Sequence, residues 1–264
     1  MTLFLISLIP YLIFTILKTK KSFHMLQQNF YDDDRRYFKW IITNISKIAY
    51  ETDILFVLIM CTLFFDIGVT IGLFIILYGI IFINYRKKKV VAKKPLVVTA
   101  RIKRLIFTMF LIYFIMIIPF VVNFSYDNLV YCYLLLGLVT YLNYFVVMTA
   151  NVINKPIEKC VYLYYKSQAL KKLKDVNIPV VGITGSYGKT SSKNIINDIL
   201  NVKLNSFATP KSFNTPYGLI NSINNYLDKF NDIFIAEMGA FRIGEIKQNC
   251  KIVKPKYGII TSIG

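Results

Sequence analysis

The chain has 264 residues, a mean hydropathy of +0.51 and 55% hydrophobic residues, a composition too apolar for an ordinary soluble domain. Its 32 lysines and arginines outnumber 14 acidic residues, but membrane topology explains half of this excess better than nucleic-acid binding does. The only histidine, His24, lies in a basic linker, and the four cysteines are scattered without a Cys-x-x-Cys pair, so neither a Ser-His-Asp triad nor a zinc site is expected.

The first half of the chain, residues 1–153, is predicted to be a membrane domain of about five helical spans. A helix of roughly 20 apolar residues crosses a hydrocarbon core of about 30 Å. The stretches that carry this prediction are residues 2–17, 54–84, 105–122 and 129–150. Residues 54–84 are too long for one span and short for two, so either a hairpin at Asp66 or one tilted helix fits them.

The basic residues of this half predict its orientation. All sixteen lie in two clusters, residues 18–47 and 86–104. Because lysine and arginine concentrate in cytoplasmic loops, both clusters are expected on the cytoplasmic side, and residue 154 then emerges there. The sequence thus predicts a multi-pass protein of the cell membrane, with the lipid bilayer as a partner and its second half in the cytoplasm.

The second half alternates β-branched and helical stretches. Residues 154–177 read as an amphipathic connecting helix, and residues 178–264 as an ATP-binding domain whose alternation predicts a parallel sheet with helices on its faces. Strands are predicted at residues 179–184, 203–208, 232–237 and 257–261, and helices near 189–201, 216–228 and 242–250. The expected fold class is therefore a multi-span α-helical membrane domain followed by a partial α/β P-loop domain.

A glycine-rich turn in residues 180–191, VVGITGSYGKTS, separates a β-branched run from a helix-like segment. Gly185 and Gly188 can adopt positive φ, which lets the backbone N–H groups point at an anion. Lys189 supplies a cation for the outer phosphates of a nucleotide, and Thr190 a hydroxyl for Mg²⁺. The pattern predicts a phosphate-binding loop made of Gly185, Ser186, Tyr187, Gly188, Lys189, Thr190 and Ser191.

Two polar side chains follow other predicted strands. Glu237 ends the apolar run Ile-Phe-Ile-Ala, where it is either a Mg²⁺ ligand or a strand-end carboxylate facing water. Asn214 lies in a loop before a Thr-Pro turn, where it either contacts substrate or caps that turn. Because ligands bind beyond the carboxyl ends of parallel strands, one edge of the sheet could gather both residues and the phosphate-binding loop.

The Gly-x-x-Gly-Lys-Thr loop, Glu237 with the following Met-Gly-Ala, and the loop around Asn214 together resemble the Mur ligase family, the ATP-dependent amide ligases of peptidoglycan assembly. The resemblance covers roughly residues 175–264. It implies that ATP and Mg²⁺ bind here, that Lys189 is catalytic and that Thr190 and Glu237 hold the metal. It also implies that Asn214 contacts the substrate, a peptidoglycan precursor or another carboxylate acceptor.

The chain departs from the family pattern at both ends. Apolar segments stand where family members carry a UDP-sugar domain, and the sequence ends at Gly264, before the family's histidine, modified lysine and C-terminal domain. We therefore expect a fragment that cannot complete ligation alone. A non-catalytic membrane protein with a nucleotide-binding remnant, or another acid–amino-acid ligase of the same superfamily, are the alternatives.

Overall fold

The computed structural model describes residues 2–50, 67–87, 95–122 and 126–262. The chain divides into two units, Met1–Pro156 and Ile157–Gly264. The first unit is helical, and the second contains a small sheet. One long helix begins in the first unit and ends in the second, so the predicted boundary at residues 153–154 falls inside a continuous helix.

The described helices of the first unit pack through aromatic side chains. Helix α1 packs against α4, where Tyr11 meets Tyr78 at 5.2 Å between ring centroids, and Phe74 meets Tyr133 of α6 at 4.3 Å. A π-helical turn, Asp33–Tyr37, precedes α2. The helices are α1 (Thr2–Gln28), α2 (Phe38–Thr43), α3 (Ile45–Tyr50), α4 (Ile67–Lys87), α5 (Ala100–Val122), α6 (Tyr126–Tyr141) and α7 (Asn143–Val176).

Polar side chains are buried between these helices. The Ser22 hydroxyl donates to Asn143 Oδ1 at 2.6 Å, and Asn143 Nδ2 donates to Thr19 Oγ1 at 2.9 Å. Buried polar groups cost free energy unless they are hydrogen-bonded, so these contacts fix the helix register. Burial raises the pKa of the Cys132 thiol to about 11, which keeps this thiol protonated and unreactive at neutral pH.

The predicted membrane domain is overturned by this part of the structure. Among the described residues, no single helix combines the length and the hydropathy of a membrane span. One pair of helical segments, Tyr131–Tyr141 and Asn143–Val176, meets both criteria only together, and it bends by 76° between them. Ile71–Ile83 is apolar but short. The prediction of a multi-span membrane domain, and with it the multi-pass membrane localisation, is therefore wrong for the described residues, and the bilayer as a partner is not supported.

The difference is clearest in the predicted span at residues 129–150. The structure divides this stretch between Tyr141 and Asn143, and the two helical segments meet at an angle of 76°. A hydropathy window does not show this break, because it reports the mean of the residues and not where a helix ends. The predicted hairpin at Asp66 lies outside the described residues.

The second unit contains the parallel sheet that the sequence predicts. The strand order is β2-β3-β1-β4, and each neighbouring pair is parallel. Ile183 of β1 pairs with Glu237 of β3. The elements are β1 (Val180–Thr184), α8 (Lys189–Leu200), β2 (Ser206–Ala208), α9 (Pro216–Asn225), β3 (Ile233–Glu237), α10 (Glu245–Val253) and β4 (Tyr257–Ile260).

Alternate strand residues build a core on each face of this sheet. Val181, Ile183 and Ile235 pack on one face with Ile196 and Leu200 of α8. The other face is covered by α9, α10 and the C-terminal part of α7, whose members include Ala169, Leu219, Ile223, Phe234 and Ile252. The C-terminal part of α7, predicted as a connecting helix, is therefore part of the core of the second unit.

Candidate functional site

Three parallel strands end at the same edge of the sheet, and each is followed by a polar segment. Strand β1 ends at Thr184, before the predicted phosphate-binding loop. Strand β2 ends at Ala208, before the loop that contains Asn214, and β3 ends at Glu237 itself. The parallel pairing of β1 and β2 with β3 therefore gathers the predicted site residues, as the sequence argument requires.

The glycines of the phosphate-binding loop adopt the positive φ that the sequence predicts. Gly185 has φ of 144° and Gly188 has φ of 81°, and Gly188 caps the N-terminus of α8. Backbone N–H groups in the first turn of a helix have no carbonyl partner within that helix, so they are available to an anion. The flanking side chains are exposed, namely Ser186, Tyr187, Thr190 and Ser191.

The Lys189 ammonium folds back over this loop. Its Nζ donates to the carbonyl oxygens of Gly185 at 2.5 Å and Ser186 at 3.1 Å. A phosphate oxygen carries full negative charge and is a stronger partner for an ammonium than a neutral carbonyl. The Lys189 ammonium therefore lies over the glycine-rich loop, and its binding of nucleotide phosphates stays a prediction.

The loop also forms hydrogen bonds with the segment after β4. The sequence did not indicate this contact. The Ser186 N–H donates to the Ser262 carbonyl at 2.6 Å, and the Thr261 hydroxyl donates to the Tyr187 carbonyl at 2.6 Å. The Ser186 amide was predicted to bind phosphate, but here Ser262 occupies it. Thr261 and Ser262 thus fix the path of the loop.

Replacement of Gly185 by alanine should disrupt this packing. An added Cβ would collide with Thr261 Oγ1 and lie 3.0 Å from the Ser262 carbonyl, at a φ that side chains rarely adopt. We expect a loss of stability of about 2 kcal/mol or more in urea unfolding. Gly258→Ala is the control, because a Cβ at Gly258 meets nothing within 4 Å; equal losses in both variants would contradict the expectation.

Glu237 lies at the centre of the site and is only 1% exposed. The Thr190 hydroxyl, 3.1 Å from each carboxylate oxygen, donates to this group. Asn214 Nδ2 donates to Oε1 of the same carboxylate at 3.1 Å. The structure therefore brings Thr190, Asn214 and Glu237 into direct contact, and the alternative of a solvent-facing strand-end carboxylate does not hold.

Lys193 is a site residue that the sequence argument missed. Its Nζ lies 3.1 Å from Glu237 Oε2, and both side chains are almost completely buried. Lys193 follows Lys189 by one helical turn, and Ile196 and Leu200 continue the same face. That position on the packed face of α8 is the signal that could have found it.

Three further residues hold Asn214 and the end of β3. The Glu237 N–H donates to Thr209 Oγ1 at 3.1 Å. The Gly239 N–H donates to the Asn214 carbonyl at 2.7 Å, and buried Asn249 donates to the Gly239 carbonyl at 3.0 Å. A Cβ at Gly239 would lie 2.9 Å from Asn214 Cγ, so only glycine leaves room for Asn214 here.

The donor set fits a hard divalent cation that is shared with a phosphate. Mg²⁺ takes oxygen ligands and commonly uses one or two carboxylates together with phosphate oxygens. Thr190 and Glu237 offer such oxygens beside the phosphate-binding loop. Among the described residues, no three histidine, cysteine, aspartate or glutamate side chains lie close enough together to hold a metal ion. These residues therefore contain no metal site made of protein ligands alone.

Comparison with known proteins supports a specific family. The Mur ligase middle domain matches residues 183–264. A UDP-N-acetylmuramoyl-tripeptide–D-alanyl-D-alanine ligase from Treponema pallidum is 34% identical over 84 residues, which are 32% of this chain and 18% of that protein. The enzyme of the same name from Bacillus subtilis is 32% identical over 92 residues, 35% of this chain and 20% of that protein.

A solved structure is also similar to a part of this chain. The MurF ligase from Thermotoga maritima, in complex with ADP, has 38% sequence identity and a TM-score of 0.37 over 39% of this chain and 24% of that one. The chain thus spans about a fifth of the length of the curated relatives it matches. The matched segment contains Lys189, Thr190, Asn214 and Glu237. Residues 183–264 therefore match part of the Mur ligase middle domain and are similar to ligases of that family.

Proposed function

We propose that this chain binds ATP with Mg²⁺ at the edge formed by β1 and β3, as part of a ligase that joins an amino acid or dipeptide to a peptidoglycan precursor. The observation that carries this proposal is the contact between the Thr190 hydroxyl and the buried Glu237 carboxylate directly after a glycine-rich loop. Similarity to ligases that add D-alanyl-D-alanine to a UDP-muramoyl tripeptide supports the substrate class.

The reaction class is amide formation driven by ATP. The γ-phosphoryl group passes to a substrate carboxylate, giving an acyl phosphate; an amine then attacks the acyl carbon, and phosphate leaves. Lys189 would stabilise the negative charge of the transferring phosphoryl group, and the first-turn N–H groups of α8 would orient the phosphates. A Mg²⁺ ion held by Thr190 and Glu237 would neutralise phosphate charge.

Asn214 would act on the substrate side of the same edge. Its amide nitrogen reaches Glu237, so its side chain lies within one hydrogen bond of the proposed metal ligand. An amide offers both a donor and an acceptor, which suits a carboxylate or amide of a peptide substrate. Catalysis by this set of residues would consist mainly of positioning and charge neutralisation.

The proposal is tested by measuring ATP binding to the full chain by titration calorimetry, in EDTA and in Mg²⁺. We expect Thr190→Val to leave the affinity in EDTA within about twofold and to lower the gain from Mg²⁺ by about tenfold, because one oxygen ligand is lost. Ser192→Ala is the matched control, since it removes a hydroxyl of the same helix.

Two outcomes would contradict the proposal. The unsubstituted chain could bind no ATP in either buffer, which would remove the nucleotide site altogether. Thr190→Val could retain the whole gain from Mg²⁺, which would remove Thr190 from the metal site. A drop in both variants of equal size would point to a general change in α8 and would also count against the assignment.

A further inference from the structure

The ammonium of Lys193 is buried, and three acceptors surround it. Lys193 is 2% exposed, and its Nζ donates to the Thr209 carbonyl at 2.9 Å, to the Lys211 carbonyl at 2.6 Å and to Glu237 Oε2 at 3.1 Å. An ammonium has three N–H donors, so each has a partner. The side chain thus ties helix α8, the loop after β2 and the end of β3 together at one point.

The loop that it holds is strained at one of these contacts. Lys211 has φ of 49°, in the left-handed region that residues with a side chain rarely adopt. Such a backbone conformation persists only where surrounding contacts impose it. The Lys211 carbonyl, bound by the Lys193 ammonium, is one such contact.

The strained segment leads directly to Asn214. The Phe213 N–H donates to the Pro210 carbonyl and the Asn214 N–H to the Ser212 carbonyl, which makes a compact turn. The turn brings Asn214 Nδ2 to 3.1 Å from Glu237 Oε1, while Lys193 contacts the other oxygen. Lys193 and Asn214 therefore approach one carboxylate from two sides, through one loop.

We propose that Lys193 is a positioning residue that holds the loop 209–214 in its strained conformation and thereby places Asn214 against Glu237. Its role in catalysis rests on the proposed function, but its effect on the loop does not. A neutral, apolar side chain in its place could fill the same core volume, yet it could not bind the Thr209 and Lys211 carbonyls. The ammonium therefore fixes the conformation of the loop, which an apolar side chain could not do.

Hydrogen exchange of the full chain, followed by mass spectrometry without nucleotide, tests this inference. Two variants are compared: Glu237→Gln, which retains the ammonium, and Lys193→Met/Glu237→Gln, which removes it without leaving a buried carboxylate unpaired. We expect amides of residues 209–215 to exchange about tenfold faster in the double variant, while those of β1 and α10 exchange no faster in it than in Glu237→Gln. Lys203→Met, at an exposed lysine after α8, should match the unsubstituted chain.

Equal exchange of residues 209–215 in the two variants would overturn the inference. A rise of the same size in β1 and α10 would also overturn it, because the ammonium would then support the whole unit and not the loop. ATP titration of the unsubstituted chain is a separate measurement. If that titration fails, the proposed function falls, while the exchange comparison still decides whether Lys193 positions the loop.

Discussion

Replacement of Lys189 by alanine should lower the affinity of the chain for ATP by about 100-fold. The ammonium lies over the loop and donates to the carbonyl oxygens of Gly185 and Ser186. A polyphosphate is a stronger partner for the ammonium than these carbonyls, and alanine leaves the phosphates to the backbone N–H groups alone. Titration calorimetry or a fluorescent ATP analogue measures this loss on the full chain.

The matched control is Lys203→Ala, which removes an exposed lysine just after the same helix. It should change the ATP affinity by no more than about twofold, since surface charges act weakly at physiological salt. Circular dichroism should be the same for both variants. If Lys189→Ala is folded and retains the ATP affinity of the unsubstituted chain, the glycine-rich loop is not the nucleotide site.

Much of the second unit follows from local sequence. A β-branched run, two glycines and Gly-Lys-Thr before a helix predict a strand, a loop and a helix start in that order, and the structure has β1, the loop and α8 there. The position of Glu237 after an apolar strand predicts its place at the carboxyl edge, because the sheet is parallel. These features could be predicted because each follows from residues that are close together in the sequence.

Lys193 and the segment Thr261–Ser262 could not be found in this way. The second half of the chain, residues 154–264, carries 16 lysines and arginines, so any one of these lysines reads as a surface residue. Only the packing of α8 on the sheet shows that the Lys193 ammonium is buried beside Glu237. The contact of Ser262 with the loop likewise depends on how β4 pairs with β1, which no local pattern reports.

In the first half of the chain, the sequence predicted a feature that the structure does not have. Apolar composition predicted spans there, and the stretch at residues 129–150 is apolar as a string of residues. The structure breaks it between Tyr141 and Asn143 and continues the second helix through Lys155 and Lys159 to Val176. Hydropathy reports the mean of a window, but the helix boundary depends on packing, such as that of buried Asn143.

Glu237→Ala should destabilise the second unit by about 3–5 kcal/mol, because it leaves the Lys193 ammonium buried without its carboxylate. The pair lies at 3.1 Å with side chains 3% and 1% exposed, so water cannot replace the lost partner cheaply. Native-state hydrogen exchange of β1 and β3 amides measures the free energy of unfolding of this unit alone. Asp198→Ala, at an exposed carboxylate of α8, should change it by no more than about 0.5 kcal/mol.

The double variant Lys193→Met/Glu237→Leu separates the cost of an unpaired buried charge from the cost of lost packing. With both charges replaced by apolar groups of similar volume, we expect a stability within about 1 kcal/mol of the unsubstituted chain, so the single change should cost more than the double one. A double variant as unstable as Glu237→Ala would show that the loss comes from packing, not from an unpaired charge. Recovery of stability without recovery of ATP binding would mean that Glu237, the proposed Mg²⁺ ligand, is needed for the site and not for the stability of the fold.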